Sequence, residues 1–105
     1  MSVRDNPDEL RYEIEEDGEV AGFIAYRRGE GVITMVHTDV EPKWEGKGVG
    51  SKLVAGALDD VRARGLKVRP LCPFVAAYIK RHPEYDDLVD HEMFDTLNRE
   101  PQNKG

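Results

Sequence analysis

Residues 40–53 read VEPKWEGKGVGSKL, and this stretch decides how the chain folds. Gly46, Gly48 and Gly50 follow an apolar strand pattern and lead directly into the spacing of an amphipathic helix. Glycine lets the main chain approach a ligand closely, and the first amides of a helix have no partners within it. The N-terminus of a helix also carries a partial positive charge. The stretch therefore predicts a loop that binds a phosphate group.

Two common phosphate-binding loops do not fit these residues. A Walker loop requires Gly-x-x-x-x-Gly-Lys-Ser/Thr, whereas Gly50 is followed by serine and then lysine. A dinucleotide-binding fingerprint requires Gly-x-Gly-x-x-Gly inside a βαβ unit. Here the spacing is Gly-x-Gly-x-Gly, and no such unit surrounds it. The glycine spacing must therefore be compared with a third kind of phosphate-binding loop.

Positions 45–50 resemble the Arg/Gln-x-x-Gly-x-Gly/Ala loop that binds the pyrophosphate of coenzyme A in the GCN5-related N-acetyltransferase superfamily. Glu45 stands where arginine or glutamine is usual. Residues 72–85 (CPFVAAYIKRHPEY) resemble the second signature of the small, single-domain branch of that superfamily. With the strand that enters the first motif, the resemblance covers residues 31–85.

The hydrophobic pattern predicts an α/β fold with the order that this resemblance implies: an antiparallel three-stranded meander, a helix, a parallel strand and a helix. Alternation of apolar and polar residues predicts a first strand over 10–15. Residues 20–26 are apolar on both faces, as expected for a central strand, and 32–40 are the third strand. Helical spacing begins at Val49 and stops before Gly65. A short strand at 66–71 runs parallel to the third strand because a helix joins them, and a second helix begins at Pro73 and ends near His82.

The two ends of the chain carry weaker patterns. Residues 1–9 are expected to be a loose lead-in, and 84–97 show weak helical spacing. We expect a single domain over 1–97 and a flexible tail over 98–105. On the third strand, strict alternation places one set of side chains on one face and a second set, containing His37, on the other. The first set is Val32, Thr34, Val36, Thr38 and Val40, and the second is Ile33, Met35, His37 and Asp39.

Composition narrows the class of protein. A chain of 105 residues has room for one domain, and its net charge of −6 argues against a nucleic-acid surface. The same charge suits an amine substrate, such as a basic peptide or a polyamine. The single Cys72 fits a reducing cytoplasm, and neither a membrane span nor a secretory signal is apparent. We expect a monomer or a weak dimer.

The resemblance implies acetyl-CoA as cosubstrate. No metal is expected, because the spacings of Cys72, His37, His82 and His91 match no familiar ligand pattern. The resemblance assigns the pantetheine arm to the main chain of Thr38, Asp39 and Val40. It assigns the pyrophosphate to the loop of Glu45, Gly46, Lys47, Gly48, Val49, Gly50 and Ser51. Lys43, Lys47 and Lys52 gather around this loop against the acidic background, which fits phosphate binding but also a solvated loop.

Three residues are candidates for catalysis, each with a plainer alternative. His37 has the ordinary pKa suited to accept a proton from the amine, or it is a buried structural histidine. Tyr78 aligns with the tyrosine that protonates the leaving thiolate in many members of the superfamily, or it fills the core. Cys72 lies just before a helix N-terminus, which favours a thiolate, or it is a small buried hydrophobe. The amine could attack acetyl-CoA directly or through acetyl-Cys72.

Three functions remain open at this stage. The first is an N-acetyltransferase, and the second is a noncatalytic acyl-CoA-binding or sensor module. The third is a structural domain in which the glycine loop is only a tight turn. Compared with larger members, the chain has no room for helices between its first two strands and has little sequence after Tyr85, so an open acceptor site is expected.

Overall fold

The computed structural model describes residues 2–90, and these form one mixed five-stranded sheet with two helices. The strands follow the chain in the order β1-β2-β3-β4-β5. They are β1 (Ser2–Asn6), β2 (Arg11–Glu16), β3 (Glu19–Gly29), β4 (Val32–Val40) and β5 (Lys67–Pro70). The helices are α1 (Val49–Ala63) and α2 (Pro73–Arg81), with short 3-10 helices at Pro42–Trp44 and Pro83–Leu88.

The predicted α/β class and element order are confirmed. Strands β2, β3 and β4 form the antiparallel meander, and β5 pairs with β4 in parallel. Gly18 (φ 78°) closes the β2–β3 hairpin, and Gly65 (φ 71°) follows the end of α1. Both positions lie in the left-handed region that glycine enters without a steric cost.

The expectation of a loose lead-in at residues 1–9 is wrong, because β1 adds a fourth antiparallel strand. Val3 is its one apolar residue, and it packs against Gly56 of α1. Asp5 accepts a hydrogen bond from the Tyr26 hydroxyl and pairs with Arg64 at 3.1 Å. These contacts come from residues distant in sequence, so the polar pattern of β1 alone does not indicate a strand.

Both helices pack on one face of the sheet and bury a single apolar core. The predicted stripe of α1 is confirmed, since it lies fully buried. Its members are Val49, Leu53, Val54, Ala57, Leu58 and Val61. From α2, Val75, Tyr78 and Ile79 join the same core. We call the opposite face, on which no described helix packs, the open face.

Strict alternation along β4 is also wrong, because the strand contains a β-bulge. Ala25 pairs with His37, but the next residue, Tyr26, pairs with Met35. Val36 is therefore an extra residue on β4, and the alternation shifts by one after it. Val36 and His37 are both exposed, whereas Thr38 is half-buried on the side of the helices.

The remaining predictions concern the C-terminal part. The 3-10 helix Pro83–Leu88 lies where weak helical spacing was expected, and the other residues of that segment beyond 90 lie outside the described residues. The predicted boundary at 97 and the tail 98–105 lie outside them as well. In residues 2–90 neither helix has the length and apolar character needed to cross a membrane. The cytoplasmic location stays a prediction.

Candidate functional site

The sheet opens between β4 and β5. Their pairing ends at Met35 and Pro70, and the amide of Cys72 donates the last hydrogen bond, to the Met35 carbonyl at 2.9 Å. Proline has no amide proton, so it cannot extend the ladder. Beyond this point, residues 36–40 of β4 have no strand partner on this edge within the described part of the chain. We call the opening the notch.

Two residues of β4 direct their main-chain groups into the notch. The Glu41 amide donates to the Ala21 carbonyl of β3 at 2.8 Å. Successive residues of a strand alternate between its two edges, so Asp39 also faces β3. Thr38 and Val40 face the notch instead. The three residues predicted to hold pantetheine by their main chain thus divide into two that face the notch and one that does not.

The glycine loop connects β4 to α1, and the main-chain amides of residues 46–51 have no main-chain hydrogen-bond acceptor among the described residues. Gly46 (φ 80°) and Gly48 (φ 77°) are both left-handed, and Gly48 caps α1 without a side-chain hydrogen bond. Main-chain hydrogen bonds are donated by Glu45 and by Lys52. Among the described residues, none is donated to a main-chain acceptor by the amides in between, at 46–51. These amides are available to an anion at the positive end of the helix.

A cavity of about 400 Å³ joins the notch to the loop. The predicted cofactor residues line it, with the exception of Lys47: Thr38, Asp39, Val40, Glu45, Gly46, Gly48, Val49, Gly50 and Ser51. Trp44 and Phe74 complete the wall. The structure therefore gathers one strand edge and one helix N-terminus around a single space.

Phe74 is the cavity residue that sequence reasoning missed. It is 41% exposed, and a Cβ added to Gly50 would lie 2.8 Å from its ring carbon Cζ. A side chain at position 50 would therefore displace the exposed Phe74 ring. An aromatic residue directly after the first proline of α2 was the available signal, but only the tertiary structure brings it opposite Gly50.

Trp44 packs partly against the core under the loop. Its indole Nε1 is buried and has no hydrogen-bond partner among the described residues. The ammonium groups of Lys43 and Lys47 lie 5.7 and 6.0 Å from the centre of its ring. Lys43 also pairs with Glu19 at 2.9 Å. The positive charge that gathers at the loop is thus partly neutralised.

Cys72 lies behind the cavity wall, at the N-cap of α2. The thiol is buried, and its Sγ lies 3.2 Å from Oγ1 of Thr38, a cavity residue. A threonine hydroxyl can donate a hydrogen bond to a sulfur atom or accept one from it. The structure thus joins Cys72 to the pantetheine side of the site through Thr38.

Tyr78 lies further along α2, in the core. Its ring stacks on His82 with centroids 4.1 Å apart and is 6.1 Å from that of Tyr85. Burial raises the pKa of Tyr78 above its ordinary value, so the phenol keeps its proton at neutral pH and could donate it.

His37 is exposed on the open face, where its ring meets Phe23 edge-on at 6.3 Å between centroids. It is therefore not the buried structural histidine that was the alternative. The described contacts of His37, Cys72 and Tyr78 go to different neighbours and do not join the three into one hydrogen-bonded cluster. In residues 2–90 no group of His, Cys, Asp and Glu side chains could hold a metal ion.

The family model described as GCN5-related N-acetyl-transferase matches residues 11–88, which include the notch, the loop and α2. This chain belongs to the GCN5-related N-acetyltransferase family. It is therefore a member of a family of acetyltransferases, as the two motifs predicted.

Known proteins resemble the chain in sequence and in fold. Protein NATD1 of Homo sapiens, of Mus musculus and of Gallus gallus is 31% identical over 55 residues, which are 52% of this chain. The chain spans about half the length of these curated relatives. The NMR solution structure of a GCN5-like protein from Staphylococcus aureus has a TM-score of 0.64 at 24% identity. The superposed region covers 84% of this chain and 86% of the Staphylococcus aureus chain, so the two proteins share a fold.

Proposed function

We propose that this chain is an acetyl-CoA-dependent N-acetyltransferase that passes an acetyl group to an amine, either a protein lysine or a small amine. The observation that carries the proposal is the set of free amides at 46–51 beside the unpaired edge of β4. An anionic group at the loop and an extended chain along the strand edge fit this combination. Coenzyme A has both, a diphosphate and a pantetheine arm.

The binding mode follows from these groups. The amides of the loop would hold the pyrophosphate by hydrogen bonds that the helix dipole strengthens. The main-chain groups of Thr38 and Val40 would bond to the amides of pantetheine, as a neighbouring strand would. Phe74 would cover the arm from the side of α2. The acetyl end then lies toward the apex of the notch, where Met35 and Pro70 are last paired.

Transfer requires an amine without its extra proton and a proton for the departing thiolate. In the direct route, the amine nitrogen bonds to the thioester carbon and the C–S bond breaks. His37 accepts the proton that the amine loses, and Tyr78, protonated at neutral pH, supplies one to the thiolate. The exposed position of His37 and the raised pKa of Tyr78 are compatible with these roles.

In the covalent route, Cys72 loses its proton and its sulfur bonds to the thioester carbon, while the C–S bond to coenzyme A breaks and the departing thiolate takes up a proton. The amine nitrogen then bonds to the same carbon and loses a proton, and the C–S bond to Cys72 breaks to restore the thiol. The hydroxyl of Thr38, 3.2 Å from the sulfur, would donate a hydrogen bond to the thiolate. The N-terminus of α2 would favour the same charge. Both routes end with the same products, free coenzyme A and an acetylated amine.

Ligand-induced stabilisation tests the binding step. A ligand at about 100 times its Kd raises the free energy of unfolding by about 2.7 kcal/mol. We expect a clear rise in Tm with coenzyme A and a smaller one with ATP, which carries phosphates but no pantetheine. The absence of any rise with coenzyme A would overturn the proposal and favour the loop as a simple turn.

Turnover separates the enzyme from a noncatalytic module. Release of free thiol from acetyl-CoA is measured with and without candidate amines. Acceleration by an amine supports the transferase, whereas binding without turnover supports an acyl-CoA-binding or sensor module. The replacements Cys72→Ser and Cys72→Ala then test the mechanism, because unchanged turnover in both would eliminate the covalent route. Since Cys72 is the single cysteine, an acetyl thioester on the quenched protein can come from no other residue.

A further inference from the structure

We infer that the acceptor is a primary amine attached to an apolar group, not a polycation, and that it docks on the open face beside Val36 and Leu71. The inference rests on the proposed function and names the substrate class of the same site. Three features of the structure lead to it: the accessible side of the notch, the apolar side chains there and the charge of the open face.

The acceptor can reach the apex of the notch only from the open face. On the helix side, the apex is closed by buried residues, among them Met35, Cys72 and Val75. The cavity that would hold the cofactor occupies the rest of that side, between β4 and the two helix N-termini. A second substrate must therefore approach from the face that the helices leave uncovered.

Apolar side chains stand at this point of the open face. The bulge turns Val36 outward next to His37, and Val36 is 37% exposed. Leu71 lies between Pro70 and Cys72, whose side chains are both buried, and it points away from the core with 53% of its surface exposed. The Cys72 amide is bonded to Met35, so Leu71 is held beside the start of the bulge. An apolar group next to the amine would bury part of these side chains.

The charge of the open face does not follow the net charge of the chain. The register and the burial pattern place a set of cations on this face, namely Arg4, Arg11, Arg27, Lys67 and Arg69. The carboxylates of the same face are Glu13, Glu15 and Asp39, with Asp90 beside Arg69. Most of these charges are paired, since Arg4 and Arg11 pair with Glu13 at 3.4 and 2.7 Å and Arg69 pairs with Asp90 at 3.2 Å. Arg11 lies over the ring of Phe23 at 4.6 Å, and Arg69 pairs in register with Thr34, next to the apex. The open face therefore offers a polycation no excess of negative charge, although the whole chain is acidic.

The experiment compares phenethylamine with spermidine as acceptors, by release of free thiol from acetyl-CoA. We expect kcat/KM for phenethylamine to be at least about tenfold higher, the size of effect that modest apolar contacts produce in specificity. Val36→Asp and Leu71→Asp should each reduce this ratio, because a carboxylate removes the apolar contact and attracts the polyamine. The matched control is Leu10→Asp, since Leu10 is also an exposed leucine (45%) but lies in the turn between β1 and β2.

The rise in Tm with coenzyme A is measured on the same samples, so the two proposals fail separately. If coenzyme A binds but spermidine reacts as well as phenethylamine or better, or if neither amine reacts, the inference is overturned and cofactor binding stands. An unchanged ratio in both Asp variants would overturn the location beside Val36 and Leu71. If coenzyme A does not bind, the proposed function itself fails and the inference with it.

Discussion

Glu45 is the residue at which the loop departs from the pattern of its family, and it lines the cavity. A carboxylate near the expected diphosphate repels it, by an amount that salt reduces. We predict that Glu45→Gln tightens the binding of coenzyme A by about tenfold at low ionic strength, or about 1.4 kcal/mol. Calorimetric titration measures the change. Glu41→Gln is the control, because Glu41 is exposed nearby but does not line the cavity. Weaker binding by Glu45→Gln would mean that the carboxylate contributes a contact.

A substitution at Gly50 should affect ligand binding and helix stability differently. Gly50→Ala should keep or raise the free energy of unfolding, since alanine in a helix is favoured over glycine by up to about 1 kcal/mol. The new Cβ pushes the exposed Phe74 ring from its place and narrows the cavity. We therefore predict weaker binding of coenzyme A without loss of stability, measured by titration and by urea unfolding.

Gly56→Ala is the matched control within the same helix. Its Cβ would lie 2.7 Å from Cβ of Val3, an atom fixed to the main chain of β1. Overpacking of this kind costs about 1 to 3 kcal/mol, so this variant should lose stability. A Gly50→Ala protein that binds coenzyme A normally would contradict the role assigned to Phe74.

At the scale of elements, the bulge in β4 is the feature on which the site depends. Deletion of Val36 restores an unbroken strand and leaves Met35, Thr38 and Val40 on the side of the helices. The deletion should therefore preserve the core but straighten β4 toward β5 and narrow the notch. We predict a folded protein with most of its Tm and with a much smaller rise on adding coenzyme A. Val36→Ala keeps the bulge and should retain the rise, and a deletion variant that also retains it would refute the argument.

The bulge also marks the limit of prediction from periodicity. Helix α1 and its buried stripe follow from the spacing of Leu53, Ala57 and Val61, because a local 3.6-residue period determines which side is buried. Alternation along β4 carries no sign of an extra residue, since Val36 and His37 read as one apolar and one polar position. The position of His37 on the open face was therefore not predictable from the pattern.

At the scale of the whole molecule, Glu13 ties the edge strand β1 to the rest of the sheet. It is almost fully buried on the open face and accepts hydrogen bonds from Arg11 at 2.7 Å and from Asn6 of β1 at 3.0 Å. Burial alone would raise the pKa of Glu13, but the hydrogen bonds outweigh it, and the pKa lies below its ordinary value of 4.5. The ionised carboxylate therefore stabilises the fold above that value, and this contribution is lost as the pH falls through the folded-state pKa.

We predict that Glu13→Gln lowers the free energy of unfolding by about 1 to 3 kcal/mol at neutral pH. The difference from the unmodified protein should shrink as the pH falls below the folded-state pKa, because both side chains are then uncharged. Urea unfolding across acidic and neutral pH measures both effects. Glu15→Gln is the control, since Glu15 pairs with Arg4 at 2.8 Å at a partly exposed site and should cost less than about 1 kcal/mol. A constant difference at every pH would contradict the charge-based explanation.

The sequence by itself determined the α/β class, the buried stripe of α1 and the glycine loop, because these depend on local period and on the conformational freedom of Gly46 and Gly48. Only the tertiary structure decided that β1 joins the sheet, that Phe74 closes the cavity against Gly50 and that the bulge directs His37 outward. Each of these depends on groups far apart in the chain, whose contacts no local pattern encodes. The phosphate loop is thus a property of neighbouring residues, whereas the acceptor side depends on how the strands are placed against each other.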